Sequence, residues 1–221
     1  SKDSLANIKY DLGRNLINVI SGLDLSTYDS FINSFVNQIV YKQYRNLVLL
    51  NADEYNLNSD VKKYYQYVDR DFDAFIEKFN EYLKTLVENY KNSNFDKSSL
   101  GSIKPIYFMI TGVDAFLGKL SITNKKLLDE IFKNANILGI VNFILFDSVD
   151  KIKKIEMESW YRGYANKNFG IWLGTGITDQ FSINVVQRTP YMRGEVPNSF
   201  CFVVNRGKAE YVKYVEKFDI N

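Results

Sequence analysis

Two hydrophobic rhythms alternate along this chain. Short continuous apolar runs predict strands buried on both faces at 15–20, 45–50 (Arg45-Asn-Leu-Val-Leu-Leu50), 105–110 (Pro105-Ile-Tyr-Phe-Met-Ile110) and 137–146, with a shorter one at 170–173. Between them, apolar residues recur every three or four positions. Phe31, Ile32, Phe35, Val36, Ile39 and Val40 predict a helix over 27–42; Phe72, Phe75, Ile76, Phe79, Leu83, Leu86 and Val87 predict one over 69–91. Further helices are expected at 124–135 and 148–162. Phe200-Cys-Phe-Val-Val204 and Ala209-Glu-Tyr-Val-Lys-Tyr214, separated by Asn-Arg-Gly, read as a closing β-hairpin with Gly207 in its turn. Strand and helix in this rhythm give an α/β fold, a mostly parallel sheet with helices on both faces and a C-terminal β-hairpin.

No repeat or low-complexity tract interrupts the pattern. The polar stretches 51–60 and 91–104 are loops rather than linkers, so residues 1–221 read as a single domain. The 16 Tyr and 16 Phe supply enough bulk for a sizeable core, and 28 basic against 26 acidic residues leave a formal charge of +2. That balance creates no field to draw nucleic acid or an anionic membrane, and no nucleic-acid partner is expected. Cys201, the only cysteine, excludes an internal disulfide, and its apolar neighbours mark a buried inert thiol. Histidine is absent, which removes the commonest general base and leaves no donor set for zinc. Ser1-Lys-Asp-Ser-Leu5 is no secretory leader, and no apolar run approaches the roughly 20 residues of a membrane span. A start without methionine reads as a piece of something longer.

Chemistry concentrates in the first turn. Asn15-Leu-Ile-Asn-Val-Ile-Ser-Gly22 runs as a strand into a glycine, and Asp24-Leu-Ser-Thr-Tyr-Asp29 opens a helix. This is the context of the phosphate loop G-x-x-x-x-G-K-[ST], in which backbone N–H groups, a helix N-terminus and a lysine surround phosphates. Counted from Gly22, the second glycine is Thr27, the lysine is Tyr28 and the metal-holding hydroxyl is Asp29. No lysine occurs between Arg14 and Lys42, so no shift of register restores one. Asp24 and Asp29 would repel a triphosphate, and Ser26-x-x-Asp29 reads as a capping box closing the helix on itself. Tyr28 is expected to pack on the helix; the alternative puts its ring where a nucleotide would lie.

The acid pair that would orient magnesium and water after the third strand is replaced by Thr111-Gly112. Asp114 is either the N-cap of the next turn or a displaced metal-orienting acid. Asp147 or Ser148 caps the helix after the fourth strand, and Thr178 or Asp179 caps a turn after Gly174-Thr-Gly176. Arg162, Arg188 and Arg193 read as solvated cations, with a finger on a neighbour's phosphates as the other use of an arginine. Tyr64, Tyr65 and Tyr67 form an aromatic cluster near a loop, a half-buried patch or a partner contact.

Together these segments resemble the FtsK/SpoIIIE family of ring ATPases, and within it the C-terminal (third) ATPase-like domain of the EssC type found in type VII secretion motors. The stretch 193–213 (Arg193-Gly-Glu-Val-Pro-Asn-Ser-Phe200 onward) resembles the family's closing turn and paired strands. Ile144-Leu-Phe-Asp-Ser148 falls at its sensor strand and Gly170–Gln180 at the strand and helix start that follow. The resemblance implies a P-loop NTPase-like (RecA-like) fold and a module on the cytoplasmic face of the membrane, within a membrane-anchored parent. It also implies secreted type VII substrates and other ATPase domains of the same chain as partners, with a homo-oligomeric ring in the full protein. Every catalytic position departs from the family pattern, so no catalytic or metal residue carries over. The expectation is a catalytically degenerate ATPase-like domain, serving substrate recruitment, assembly or regulation, with no cofactor. The alternative is a nucleotide-binding ATPase with displaced groups, which would take ATP and magnesium; DNA translocation is the weaker alternative.

Overall fold

The computed structural model describes residues 10–41, 46–57 and 65–214. Tyr64, Arg45 and Lys42, which entered the sequence expectations, lie outside the described residues. One eight-stranded sheet organises the molecule, in the order β3-β2-β4-β5-β1-β6-β7-β8. Its strands are β1 (Ile17–Gly22), β2 (Asn46–Asn51), β3 (Gln66–Val68), β4 (Ile106–Thr111), β5 (Val141–Phe146), β6 (Phe169–Leu173), β7 (Phe200–Asn205) and β8 (Lys208–Lys213). The strands from β3 to β6 run parallel, and β7 and β8 continue antiparallel. The continuous apolar runs are the central strands: all six residues of β1 and of β5 are buried. Both faces of those strands therefore need cover.

Two layers provide it. On one face lie α2 (Phe72–Asn92), α3 (Val113–Lys119), α4 (Ile122–Leu138), α5 (Val149–Ile155) and α6 (Ser159–Tyr164), around a core that includes Val19, Phe108, Phe132, Phe143 and Trp160. On the other, α1 (Asp29–Tyr41) presses Phe31, Ile32 and Val36 onto Ile20, Leu49, Met109, Ile144 and Phe146. A smaller cluster around Trp172, Met192 and Phe202 fills one face of the β6–β8 end. The hairpin turns at Arg206-Gly207, both with positive φ.

Several boundaries differ from the sequence expectation. The helix expected over 148–162 is two helices, α5 and α6, because Glu156–Glu158 step aside before Glu158 restarts the chain as N-cap of α6. Strand β5 begins only at Val141, since α4 extends to Leu138 and ends on Gly139 in the left-handed region. The three-residue β3 was hidden by its length and by its place at the sheet edge, where polar residues are tolerated.

Candidate functional site

Parallel sheets bind ligands outside the C-terminal ends of their strands, where neighbouring connections leave in opposite directions. Here that point lies between β1 and β5. From β1 the chain crosses one face through α1, and from β5 it crosses the other through α5 and α6. A cavity of about 540 Å³ opens there. The loop after β1, the loop after β2 and the start of α5 line it.

Five of the lining residues are acids, Asp24, Asp29, Asp53, Glu54 and Asp147, against one cation, Lys151. Asp147 is 1% exposed. Its carboxylate accepts the N–H groups of Ser148 (2.8 Å) and Asp114 (3.1 Å), so it serves the first turns of both α5 and α3. Lys151, in the first turn of α5, lies 3.0 Å from Asp53 and 3.5 Å from Asp147. Burial holds the Asp147 carboxyl above its ordinary pKa in spite of its two N–H donors and the Lys151 charge. For Lys151 the balance falls the other way. Burial works to lower its pKa, but the bond to Asp53 and the charges of Asp147 and Asp53 outweigh it, and the net direction is up. The single ammonium is thus held by two carboxylates. Tyr55, on the same rim, has its phenol pKa raised by burial and then by Asp53, Asp147, Asp29 and Asp24, four carboxylates whose fields converge on one ring.

The loop after β1 is closed by its own bonds. Ser26 N–H donates to Asp24 Oδ1 (2.9 Å), and Tyr28 N–H donates to the Leu25 carbonyl (3.1 Å). The expected box between Ser26 and Asp29 does not form. Ser26 turns to Asp24 instead, and the Ser26 N–H holds the Asp24 pKa below its ordinary value. Thr27 faces Asn198 at 3.5 Å. Tyr28 is 3% exposed and belongs to the α1-side core, its hydroxyl lying near Gly174 and its pKa raised by burial and by neighbouring Cys201. Its ring packs beneath the loop and does not line the cavity. Gly22 has a packing reason of its own: a Cβ there would sit 2.5 Å from the Leu173 carbonyl of β6.

The remaining candidates separate. Thr111 donates to Asn51 Oδ1 (2.7 Å), tying β4 to β2. Gly112, at φ 70°, is the N-cap of α3, so Asp114 is not the cap and lies inside the first turn. The Asp114 carboxylate pairs with Lys154 at 2.6 Å and lines a different cavity; only its backbone N–H reaches the site. Ser148 is the N-cap of α5, as expected. Gly176, and neither Thr178 nor Asp179, caps the short 3₁₀ turn Ile177–Asp179, because its left-handed φ of 85° makes the corner that a side chain would otherwise have to stabilise. Arg162, Arg188 and Arg193 are exposed, and none lines the cavity. Cys201 is buried, with its thiol pushed up to about 12, as expected of an inert thiol. Sequence reasoning missed Asp53 and Lys151. The spacing Asp147-x-x-x-Lys151 at a helix start was the available clue, since it places acid and base one turn apart.

No protein-family model matches the sequence, and no curated protein matches it. Solved structures do match in fold. The cytoplasmic domain of EssC superposes with a TM-score of 0.67 at 10% identity, covering 93% of this chain and 40% of that one. EccC of Thermomonospora curvata (ATPases 2 and 3), solved with a signal sequence peptide, gives a TM-score of 0.62 at 11% identity, covering 98% and 40%. The pCW3 conjugation coupling protein TcpA gives 0.57 at 11%, covering 94% and 62%. The chain spans less than two thirds of each of these structures. It shares the fold of these structures, a mostly parallel sheet with helices on both faces, and resembles the EssC domain.

Proposed function

We propose that this chain is a degenerate ATPase-like module of a type VII secretion motor, retained for its surfaces rather than for nucleotide turnover. The observation that carries this is the carboxylate-lined cavity at the position where such folds take a nucleotide. Five acids and one doubly ion-paired lysine set a negative field at the place where a triphosphate would bring more negative charge. Two amides of the β1–α1 loop, the kind that cradle phosphates, are already bonded within the loop. The fold of EssC and EccC supports placement in a secretion motor on the cytoplasmic face of the membrane, beside other ATPase domains. Among the described residues no helix is long and apolar enough to cross a membrane, so anchorage would come from the parent protein. The EccC structure solved with a signal sequence peptide supports substrate recruitment as the role.

Isothermal titration of the domain with Mg-ATP and with Mg-ADP is expected to give no binding heat up to millimolar nucleotide. Micromolar affinity would overturn the proposal in favour of an ATPase with displaced groups, and Lys151 would be the cation to examine first. Tyr28→Lys is expected to leave the domain without hydrolysis. It also destabilises the fold by about 3 kcal/mol or more, because it puts an ammonium into a core position.

A further inference from the structure

Strand β8 ends the sheet, and among the described residues no strand lies on its outer side. Antiparallel pairs alternate between residues that bond their partner and residues whose backbone points away from it. Tyr214 N–H bonds the Ser199 carbonyl, which sets the parity: Val212, Glu210 and Lys208 bond β7. Ala209, Tyr211 and Lys213 therefore direct their N–H and C=O groups to the open edge. Beside this edge lies a shelf of rings. Phe200 stacks on Tyr211 at 4.8 Å and 7°, and Tyr191 lies 6.3 Å from Tyr211. Tyr191 and Tyr211 are 53% and 40% exposed.

The segment that supplies the shelf and the edge carries more cations than acids, with Asp179 as a further exposed acid in the 3₁₀ turn packed against residues 190–193. Residues 184–214 carry Arg188, Arg193, Arg206, Lys208 and Lys213 against Glu195 and Glu210. Lys208 is paired to Glu210 at 3.3 Å, whereas Arg188, Arg193 and Lys213 are exposed and make no ion pair among the described residues. A second copy of β8 would bring the same excess of cations to the same edge, so like charge would face like. An acidic strand is the complement.

We propose that the outer edge of β8 is a docking site for an extended acidic peptide, which adds a ninth strand to the sheet. Its backbone pairs with Ala209, Tyr211 and Lys213, its apolar side chains pack on Tyr211 and Tyr191, and its carboxylates meet Lys213 and Arg193. This edge belongs to the β7–β8 hairpin and does not depend on whether the cavity between β1 and β5 takes nucleotide.

The probe is a fluorescein-labelled ten-residue peptide in which glutamate and valine take turns at every second position, with threonine between them, so that both kinds share the face turned to Tyr211 and Lys213. Binding is followed by anisotropy, with amide hydrogen exchange on the bound protein. Binding is expected to slow exchange at Ala209, Tyr211 and Lys213. Methylating one alternate set of peptide amides, which removes the edge bonds but keeps the charge, is expected to weaken binding about tenfold or more. Arg193→Glu and Lys213→Glu, both at exposed positions, are each expected to weaken it about fivefold with an unchanged melting temperature. The same peptide with lysine in place of each glutamate is expected not to bind. The proposal is overturned if the methylated peptide binds as well as the parent, if the edge amides gain no protection, or if an oligothymidine of equal charge binds more tightly. It is equally overturned if the unliganded domain pairs with itself through this edge.

Discussion

At the scale of single residues, Asp147 sets the character of the candidate site. It is buried among structural N–H donors, beside one lysine that it shares with Asp53. Its raised pKa means that the fold favours its protonated form. The contribution of this group is therefore greatest below the ordinary aspartate value, about 3.9, and is lost as the pH rises through the raised value. Asp147→Asn abolishes that loss. Relative to wild type, the variant is expected to gain stability as the pH rises from about 4 to about 7, measured as urea midpoints across the range. A difference that stays flat, or shrinks toward neutral pH, would show that Lys151 and the two amides outweigh burial. Tyr28 teaches the complementary lesson. In sequence it marks a missing lysine; in the molecule it is a core side chain whose removal would be felt in packing first.

Among the elements, the junctions after β2, β4 and β5 act as a unit. Gly112 turns the chain from β4 into α3 with φ 70°, and a Cβ there would meet the Asp53 carboxyl carbon at 2.4 Å. Asp53 in turn holds Lys151 of α5. Gly112→Ala is thus expected to strain the turn, displace Asp53 and loosen the Lys151 pair, costing roughly 1–3 kcal/mol. Chemical denaturation measures the cost, and the exchange rates of the Ser148 and Asp114 amides report the loosening. If only the midpoint moves and those amides keep their protection, Asp53 and Asp147 are independent. The elements also show why helix caps were harder to place than helices. Asp114, Thr178 and Asp179 have cap chemistry, but Gly112 and Gly176 take the corner by adopting positive φ.

At the scale of the whole molecule, one sheet carries three packed clusters among the described residues. Trp160 belongs to the layer under α2–α6, and Trp172 to the cluster at the β6–β8 end. Because β1 pairs with both β5 and β6, the two ends share a continuous ladder. Single-tryptophan variants, Trp160→Phe and Trp172→Phe, are expected to report the same denaturation midpoint as far-ultraviolet circular dichroism, the mark of one cooperative unit. Two separate midpoints would divide the hairpin end from the rest.

The apolar rhythm by itself determined the parallel sheet, the hairpin and the order of the long elements, though not β3, α3 or the break between α5 and α6, because burial on one face or two leaves a periodic trace only in elements long enough to carry it. It also pointed to the turn after Gly22, beside which the candidate cavity lies, through the residues missing from it. What it could not show is that Asp53, Asp147 and Lys151, distant in sequence, meet there. Nor could it show that Tyr28 turns inward, or that β8 is the last strand of the sheet among the described residues. Those are facts of strand order and side-chain direction. Only the assembled sheet decides them, since contacts between separate elements leave no period to read.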